Sequence, residues 1–259
     1  MNWSYDDFKR GVMELTAINL SSYKERQMKR RIDALISRSG YNGYKDYFDA
    51  LTLNSVILEK FVDYLTINVS EFYRNPEQWK ALEQQILPDL LKRHGSIKVW
   101  SAACSTGEEP YSLIMLLSTF TSLNSIKILA TDIDVAAIKK ARTGIYTGKS
   151  LETLPLVHKD AFFRQQNGFF MLDSKIKDCV EFRQHDMLRE PFSGKFHLIL
   201  CRNVMIYFTE EAKEELYRKF HDSLERDGVL FVGSTEQIIF PQRYNLKPIR
   251  TYFYKRIDS

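Results

Sequence analysis

Three phrases in this sequence have residue types and spacing suited to chemistry. The first is Ser101-Ala102-Ala103-Cys104-Ser105-Thr106-Gly107-Glu108-Glu109-Pro110, small side chains ending in two glutamates and a proline. Small residues let a ligand approach the backbone, and proline suits the first turn of a helix, where its missing N–H would be unpaired anyway. The Gly-Lys-Ser/Thr ending of a phosphate loop is absent. The two glutamates would repel phosphate and attract an ammonium group, or else only compensate a helix dipole. The second phrase is Thr131-Asp132-Ile133-Asp134. Asp132 stands where nucleotide-binding sheets place an acceptor for ribose hydroxyls, and Asp134 where a helix N-cap belongs. A metal pair is the alternative, but no third ligand lies near. The third phrase, Cys201-Arg202-Asn203-Val204, closes an apolar run with either a polar contact or an ordinary loop.

The elements that must position these phrases follow from hydrophobic patterning. Strand-like runs at Ile97 to Ala102, Ile126 to Ala130, Val180 to Phe182, His197 to Leu200 and Gly228 to Val232 alternate with helical patterns. Those patterns start at Glu108 and Asp134 and run through Glu210 to Leu224. The alternation predicts βαβ units and a mainly parallel, Rossmann-like α/β sheet over residues 91–259. Ligands of such sheets bind beyond the carboxyl ends of the strands, where all three phrases fall. The last run, Thr251 to Ile257, follows a strand without an intervening helix and is expected as an antiparallel edge strand. Between Gly144 and Val180 the rhythm breaks, and the Asn167-Gly168 turn predicts a small inserted β-subdomain over about 148–177 with a hairpin in it.

Residues 1–90 read as a small all-helical domain, with the boundary placed at Pro88 and the polar run Lys92 to Ser96. Within it, residues 21–45 hold Lys24, Arg26, Lys29, Arg30, Arg31, Arg38 and Lys45 against only Glu25 and Asp33. Met28, Ile32, Leu35 and Ile36 give this segment one apolar helical face, and at about 100° per residue Lys24, Arg31 and Arg38 share one stripe beside it. The whole chain of 259 residues is 44% hydrophobic and 27% charged, which excludes a disordered or fibrous chain. No apolar stretch approaches the roughly 20 residues of a spanning helix. The amino terminus is acidic where a secretory signal would be basic, so a cytoplasmic location is expected. Cys104, Cys179 and Cys201 form no CxxC pair and the five histidines no HxxxH or HExxH spacing, so buried thiols and no metal are expected.

Taken in order, the phrases Thr66 to Trp79 (TINVSEFYRNPEQW), Trp100 to Ser112 (WSAACSTGEEPYS), Thr131 to Asp134 (TDID), Ala141 to Tyr146 (ARTGIY) and Cys201 to Phe208 (CRNVMIYF) closely resemble the bacterial chemotaxis receptor methyltransferase family, CheR. The resemblance covers nearly the whole chain. It implies a helical amino-terminal domain followed by a class I S-adenosylmethionine (SAM) methyltransferase domain with an inserted β-subdomain. The family's Asn-x-Ser/Thr-x-x-x-Arg element falls on Asn68, Ser70 and Arg74, with Ser70 where threonine is usual. The resemblance implies that Glu108 or Glu109 receives the amino group of the cofactor and that Asp132 holds its ribose. It further implies that Asp186 and Met187 meet the adenine, with Asp where Asn is common, and that Arg202 and Asn203 complete the pocket. Arg74 and Tyr207 are implied nearest the transferring methyl.

The reaction so implied is methyl transfer from SAM to glutamate carboxylates of chemoreceptors, giving γ-methyl esters and S-adenosylhomocysteine, with no metal. The implied partners are the cytoplasmic helical domains of membrane-embedded chemoreceptors, to which a monomeric enzyme would be recruited without inserting into the membrane. The stripe of Lys24, Arg31 and Arg38 would dock such glutamate-rich helices, or else remain a solvated basic face. Two other readings compete. A nucleic-acid methyltransferase would carry an Asp/Asn-Pro-Pro-Tyr/Phe phrase where Cys201-Arg202-Asn203-Val204 stands, so no nucleic acid is expected. A non-catalytic SAM-binding adaptor would bind the cofactor without turnover.

Overall fold

A computed structural model describes residues 3–258, and its contacts divide the chain into two compact units. One runs up to Ile67 and takes in Met205–Leu216; the other comprises Asn68–Val204 and the residues from Tyr217 onward. The line thus falls between Ile67 and Asn68, ahead of the boundary near residue 90 expected from Pro88.

The first unit is helical: α1 (Tyr5–Thr16), α2 (Glu25–Arg38), α3 (Tyr44–Leu53) and α4 (Ser55–Thr66). Ser4 and Asp7 form a capping box that starts α1. The buried face of α2 is Met28, Ile32 and Ile36, as the periodicity required. The core of the unit is aromatic, with Phe8 and Tyr47 packed edge-on against the fully buried Phe61 at 5.9 and 5.8 Å between ring centroids.

In the second unit α5 (Pro76–Ala81) continues through a π turn at Leu82–Ile86 into α6 (Leu87–His94). Pro88 therefore lies inside a helical run, not at a boundary. It has no N–H to return to the preceding turn, and the ladder widens just before it, where Leu87 N–H reaches back to Leu82 O. Beyond it come β1 (Val99–Ala102), α7 (Glu108–Leu117), β2 (Ile128–Asp132), α8 (Val135–Thr143) and β3 (Ile145–Tyr146). Next are α9 (Leu156–Phe162), β4 (Phe163–Gln166), β5 (Phe169–Leu172), α10 (Ser174–Lys177), β6 (Val180–Gln184) and β7 (Phe196–Cys201). The chain ends with α11 (Glu210–Ser223), β8 (Leu224–Val232), β9 (Leu246–Arg250) and β10 (Phe253–Arg256).

The main sheet has the order β6-β2-β1-β7-β8-β10-β9. The first five strands are parallel; β10 pairs antiparallel with β8 on one side and with β9 on the other. The final strand is thus antiparallel as expected but is not the edge. The edge is β9, which the patterning did not predict because Pro248 and the exposed Lys247 and Arg250 hide its strand character, as is usual for edge strands. Parallel strands are covered on both faces, and α7 is buried from Tyr111 to Leu117 without interruption. The inserted segment forms a separate three-stranded sheet, β3-β5-β4. Its hairpin turns at Asn167 and Gly168, both with positive φ (50° and 80°), as a two-residue type I′ turn demands. Its third strand, Ile145–Tyr146, precedes the expected start of the insertion. Among the described residues no helix is long and apolar enough to cross a membrane.

Candidate functional site

Strand register brings the three phrases together. Ala102 pairs with both Thr131 and Cys201, and Cys201 pairs with Val232, so Ala103, Asp132, Arg202 and Gly233 line up along one edge of the sheet. From β1 the chain crosses to β2 and β6 on one side and returns to β7 on the other, which puts the β1 loop at the point where strand order reverses. Backbone conformations outside the usual regions collect at this edge. Tyr73, Asn75, Ala103, Ser105 and Asn203 all have φ between 48° and 62°. Such conformations persist only where surrounding contacts enforce them, and they concentrate at ligand sites.

The enforcing contacts run from the linker into the β1 loop. Asn68 Nδ2 donates to Asp134 Oδ2 at 2.6 Å, and Asn68 Oδ1 accepts from Ser105 Oγ at 2.8 Å. Asp132, at the end of β2, accepts Ser105 N–H at 2.7 Å and Asp134 N–H at 2.9 Å. Asp134 caps α8 through Ala136 N–H and Ala137 N–H, as expected. Gly107 starts α7 with φ of 94°, and a Cβ there would lie 2.8 Å from the Ala141 Cβ, so α7 and α8 approach only because this residue is glycine.

The two glutamates, equivalent in sequence, are not equivalent in the fold. Glu109 accepts from Ser101 Oγ at 2.8 Å and pairs with the Arg202 guanidinium at 3.2 Å. Arg202 is buried to 1% side-chain exposure, and its other terminal nitrogen donates to Arg74 O (2.7 Å) and Gln78 Oε1 (2.9 Å). Its guanidinium also lies 4.6 Å from the Phe231 ring centroid. Burial raises the Glu109 pKa and the guanidinium pulls it back; burial likewise lowers that of Arg202. Glu108 instead accepts from Thr106 Oγ1 at 2.7 Å and from the Ser70 hydroxyl, and burial raises its pKa. Burial also pushes the Asp132 pKa up, to about 6. Neither Glu108 nor Asp132 has a lysine or arginine partner among the described residues.

Asp186 and Met187 follow β6, and His185 N–H donates to Asp132 O at 2.9 Å, which sets them beside the end of β2. The Asp186 carboxylate accepts Leu188 N–H, and burial raises its pKa. Met187 is buried. Arg74 donates to Val69 O at 3.0 Å. Asn203 presents its N–H to the buried Glu236 carboxylate at 2.6 Å. The sequence reading missed Glu236, Gly233 and Gln78; the only signal for the first two was the Gly-Ser-Thr-Glu phrase leaving the β8 run.

Tyr207 belongs to the helical unit, where its carbonyl accepts Lys24 N–H at 2.8 Å. Lys24 occupies the N-cap position of α2, just outside the helix proper. Arg31 and Arg38 are gathered by Tyr64. Arg31 donates to Tyr64 O at 2.5 Å and Arg38 to Tyr64 Oη at 2.9 Å, with guanidinium carbons 4.6 and 5.5 Å from the ring centroid.

Known families and proteins match this chain along most of its length. Residues 4–66 match the all-alpha domain of CheR methyltransferase, and residues 68–253 match its SAM binding domain. A chemotaxis protein methyltransferase of Listeria monocytogenes is 42% identical over 95% of this chain and 95% of its own length. That of Listeria innocua is 40% identical with the same coverage, and that of Borreliella burgdorferi is 34% identical over 92% of this chain and 89% of its own. With both domain models matched in order and identities of this size along nearly the full length, this chain belongs to the CheR methyltransferase family.

Proposed function

We propose that this methyltransferase esterifies glutamate side chains of chemoreceptors, at a site that takes SAM through Glu108 and Asp132. The observation that carries the reading is this pair of buried carboxylates without a cation of their own. A buried carboxylate calls for a positive or hydrogen-bond-donating partner, and a ligand with an ammonium group and ribose hydroxyls answers that demand at the two positions. The residues fit SAM on this ground. Glu108 takes the amino group, because Glu109 already holds Arg202. Asp132 takes the ribose, Asp186 and Met187 the adenine, and Asn68, Ser70 and Arg74 close the pocket from the linker. Asn203 completes it, while Arg202 acts from below by fixing Glu109 and the Arg74 carbonyl.

SAM supplies an electrophilic methyl whose transfer to a carboxylate oxygen leaves S-adenosylhomocysteine and a γ-methyl ester. The chain needs no general base for this, since a glutamate with pKa of about 4.3 is already ionised at neutral pH. What it must provide is orientation and exclusion of water. Arg74 and Tyr207 orient the acceptor carboxylate, and Lys24, Arg31 and Arg38 receive the acidic face of the receptor helix by screened electrostatics.

The test incubates the chain with methyl-labelled SAM and chemoreceptor-containing membranes, then treats the labelled protein with mild base. Label on receptors released as methanol is expected. Absence of receptor label with S-adenosylhomocysteine binding intact would overturn the reading in favour of an adaptor. The roles of Arg74 and Tyr207 fail if Arg74→Ala and Tyr207→Phe both keep the parent turnover at saturating SAM.

A further inference from the structure

The turns that follow β7 and β8 are locked to each other by one side chain. Glu236 is 6% exposed, and its Oε2 accepts both Asn203 N–H at 2.6 Å and Gly233 N–H at 2.8 Å. Asn203 is held in the left-handed region, with φ of 61°. A Cβ on Gly233 would lie 2.4 Å from Glu236 Oε2, 2.7 Å from Asn203 N and 3.0 Å from Asn203 Nδ2. Two of those three atoms belong to Asn203, one of them backbone, so only glycine lets the carboxylate and the Asn203 turn close on β8. Strand pairing of Cys201 with Val232 aligns the two strands but leaves the conformation beyond them open. Hydrogen bonds from two turns to one shared acceptor supply what pairing does not.

We propose that Glu236, seated against Gly233, is a positioning residue that sets the Arg202-Asn203 backbone and thereby the affinity for the adenosyl ligand. It does not touch that ligand; it acts through Asn203, and so rests on the reading of Asn203 as part of the pocket. The carboxylate serves as a shared acceptor, and an amide oxygen in the same place would serve too. An alanine at 236 leaves a buried N–H at Gly233 and a part-buried one at Asn203 without their acceptor and frees Asn203 to relax toward ordinary φ. An alanine at 233 produces the same release from the other side by displacing the carboxylate.

Titration calorimetry with S-adenosylhomocysteine tests this on the full chain, alongside ligand-free melting and methyl-transfer kinetics. Glu236→Ala and Gly233→Ala are each expected to weaken binding about tenfold and to raise the KM for SAM more than they lower kcat. Glu236→Gln is expected to bind within about threefold of the parent, because it keeps the acceptor. If Glu236→Ala melts lower but binds like the parent, the residue is only structural and the proposal falls. It also falls if Glu236→Gln melts like the parent yet binds as weakly as Glu236→Ala, since charge rather than the shared acceptor would then be acting. Should Glu236→Ala not fold, Glu236→Gln set against Gly233→Ala makes the same comparison. Asn203→Ala separates the layers: parent-like binding there takes down the pocket reading, whereas weak binding with Glu236→Ala unaffected takes down the clamp alone.

Discussion

The carboxyl edge of the sheet and the basic stripe of α2 both gather charge, in opposite ways. At the sheet edge Glu108, Asp132 and Arg202 are buried and Glu109 is half-buried, and each is fixed by named donors and acceptors. Along the stripe, Lys24 and Arg38 are exposed, and Arg31 and Arg38 are organised mainly by one tyrosine. A buried charge without its partner is costly, so changes at the sheet edge should be large and specific to single atoms. An exposed charge is screened, so changes on α2 should be small, graded and sensitive to salt.

The largest expected effect is that of Arg202→Met. It strands the Glu109 carboxylate, the Arg74 carbonyl and Gln78 together, and urea unfolding should register a loss of about 3–5 kcal/mol. Adding Glu109→Gln should return a good part of it, and a single-variant loss under about 1 kcal/mol would erase the contrast with α2. Next comes the division between the glutamates. Glu108→Gln should weaken S-adenosylhomocysteine binding about tenfold or more while leaving unfolding stability equal or higher, since burial disfavours its charge. Glu109→Gln should lower stability, because it leaves the Arg202 charge uncompensated. Reversed results would exchange the roles of the two residues.

Asp132 gives a pH test with a definite sign. Its folded pKa of about 6 lies above the ordinary 3.8, so between those values the ligand-free folded chain holds a proton that the unfolded chain has released. Its contribution to stability is therefore complete below 3.8 and is lost as pH rises through about 6. Under the proposed ribose role, ligand binding is expected to run the other way, because the ionised carboxylate is the better acceptor for ribose hydroxyls. Calorimetry should show S-adenosylhomocysteine binding weaken as pH falls through about 6, and Asp132→Asn should flatten that dependence. The smallest effects belong to α2. Arg31→Glu with Arg38→Glu should lower kcat/KM for receptor about three- to tenfold at low salt, the gap narrowing as salt is added. Tyr64→Phe, which removes the hydroxyl that accepts from Arg38 and donates to the Arg31 carbonyl, should change it about twofold. A salt-independent defect would place the stripe with the buried charges instead.

Much of this molecule is legible along the chain because its signals are local. The alternation of apolar runs gives the parallel sheet, Asn167-Gly168 gives the hairpin, and Asp134 gives the α8 cap, each readable within a few residues. Even the sheet edge is legible as a place, since loops after parallel strands must meet at a reversal of strand order. Elsewhere a local signal misleads: Pro88 reads as a boundary and lies in a helix, and Pro248 conceals the edge strand β9.

What only the tertiary structure decides is which of two like residues does what. Glu108 and Glu109 differ because Arg202 reaches the second across 93 positions of chain, and Glu236 matters because it closes on Asn203 across 33. Arg202, implied by the resemblance to complete the pocket, is buried and tied to Glu109 and Gln78. Residue type and spacing set where charge can be placed, since they fix the period of each element. Whether that charge is quenched, shared or left waiting for a ligand depends on what distant segments bring within 3 Å or so, and electrostatics at that range is strong only where the fold has removed the water.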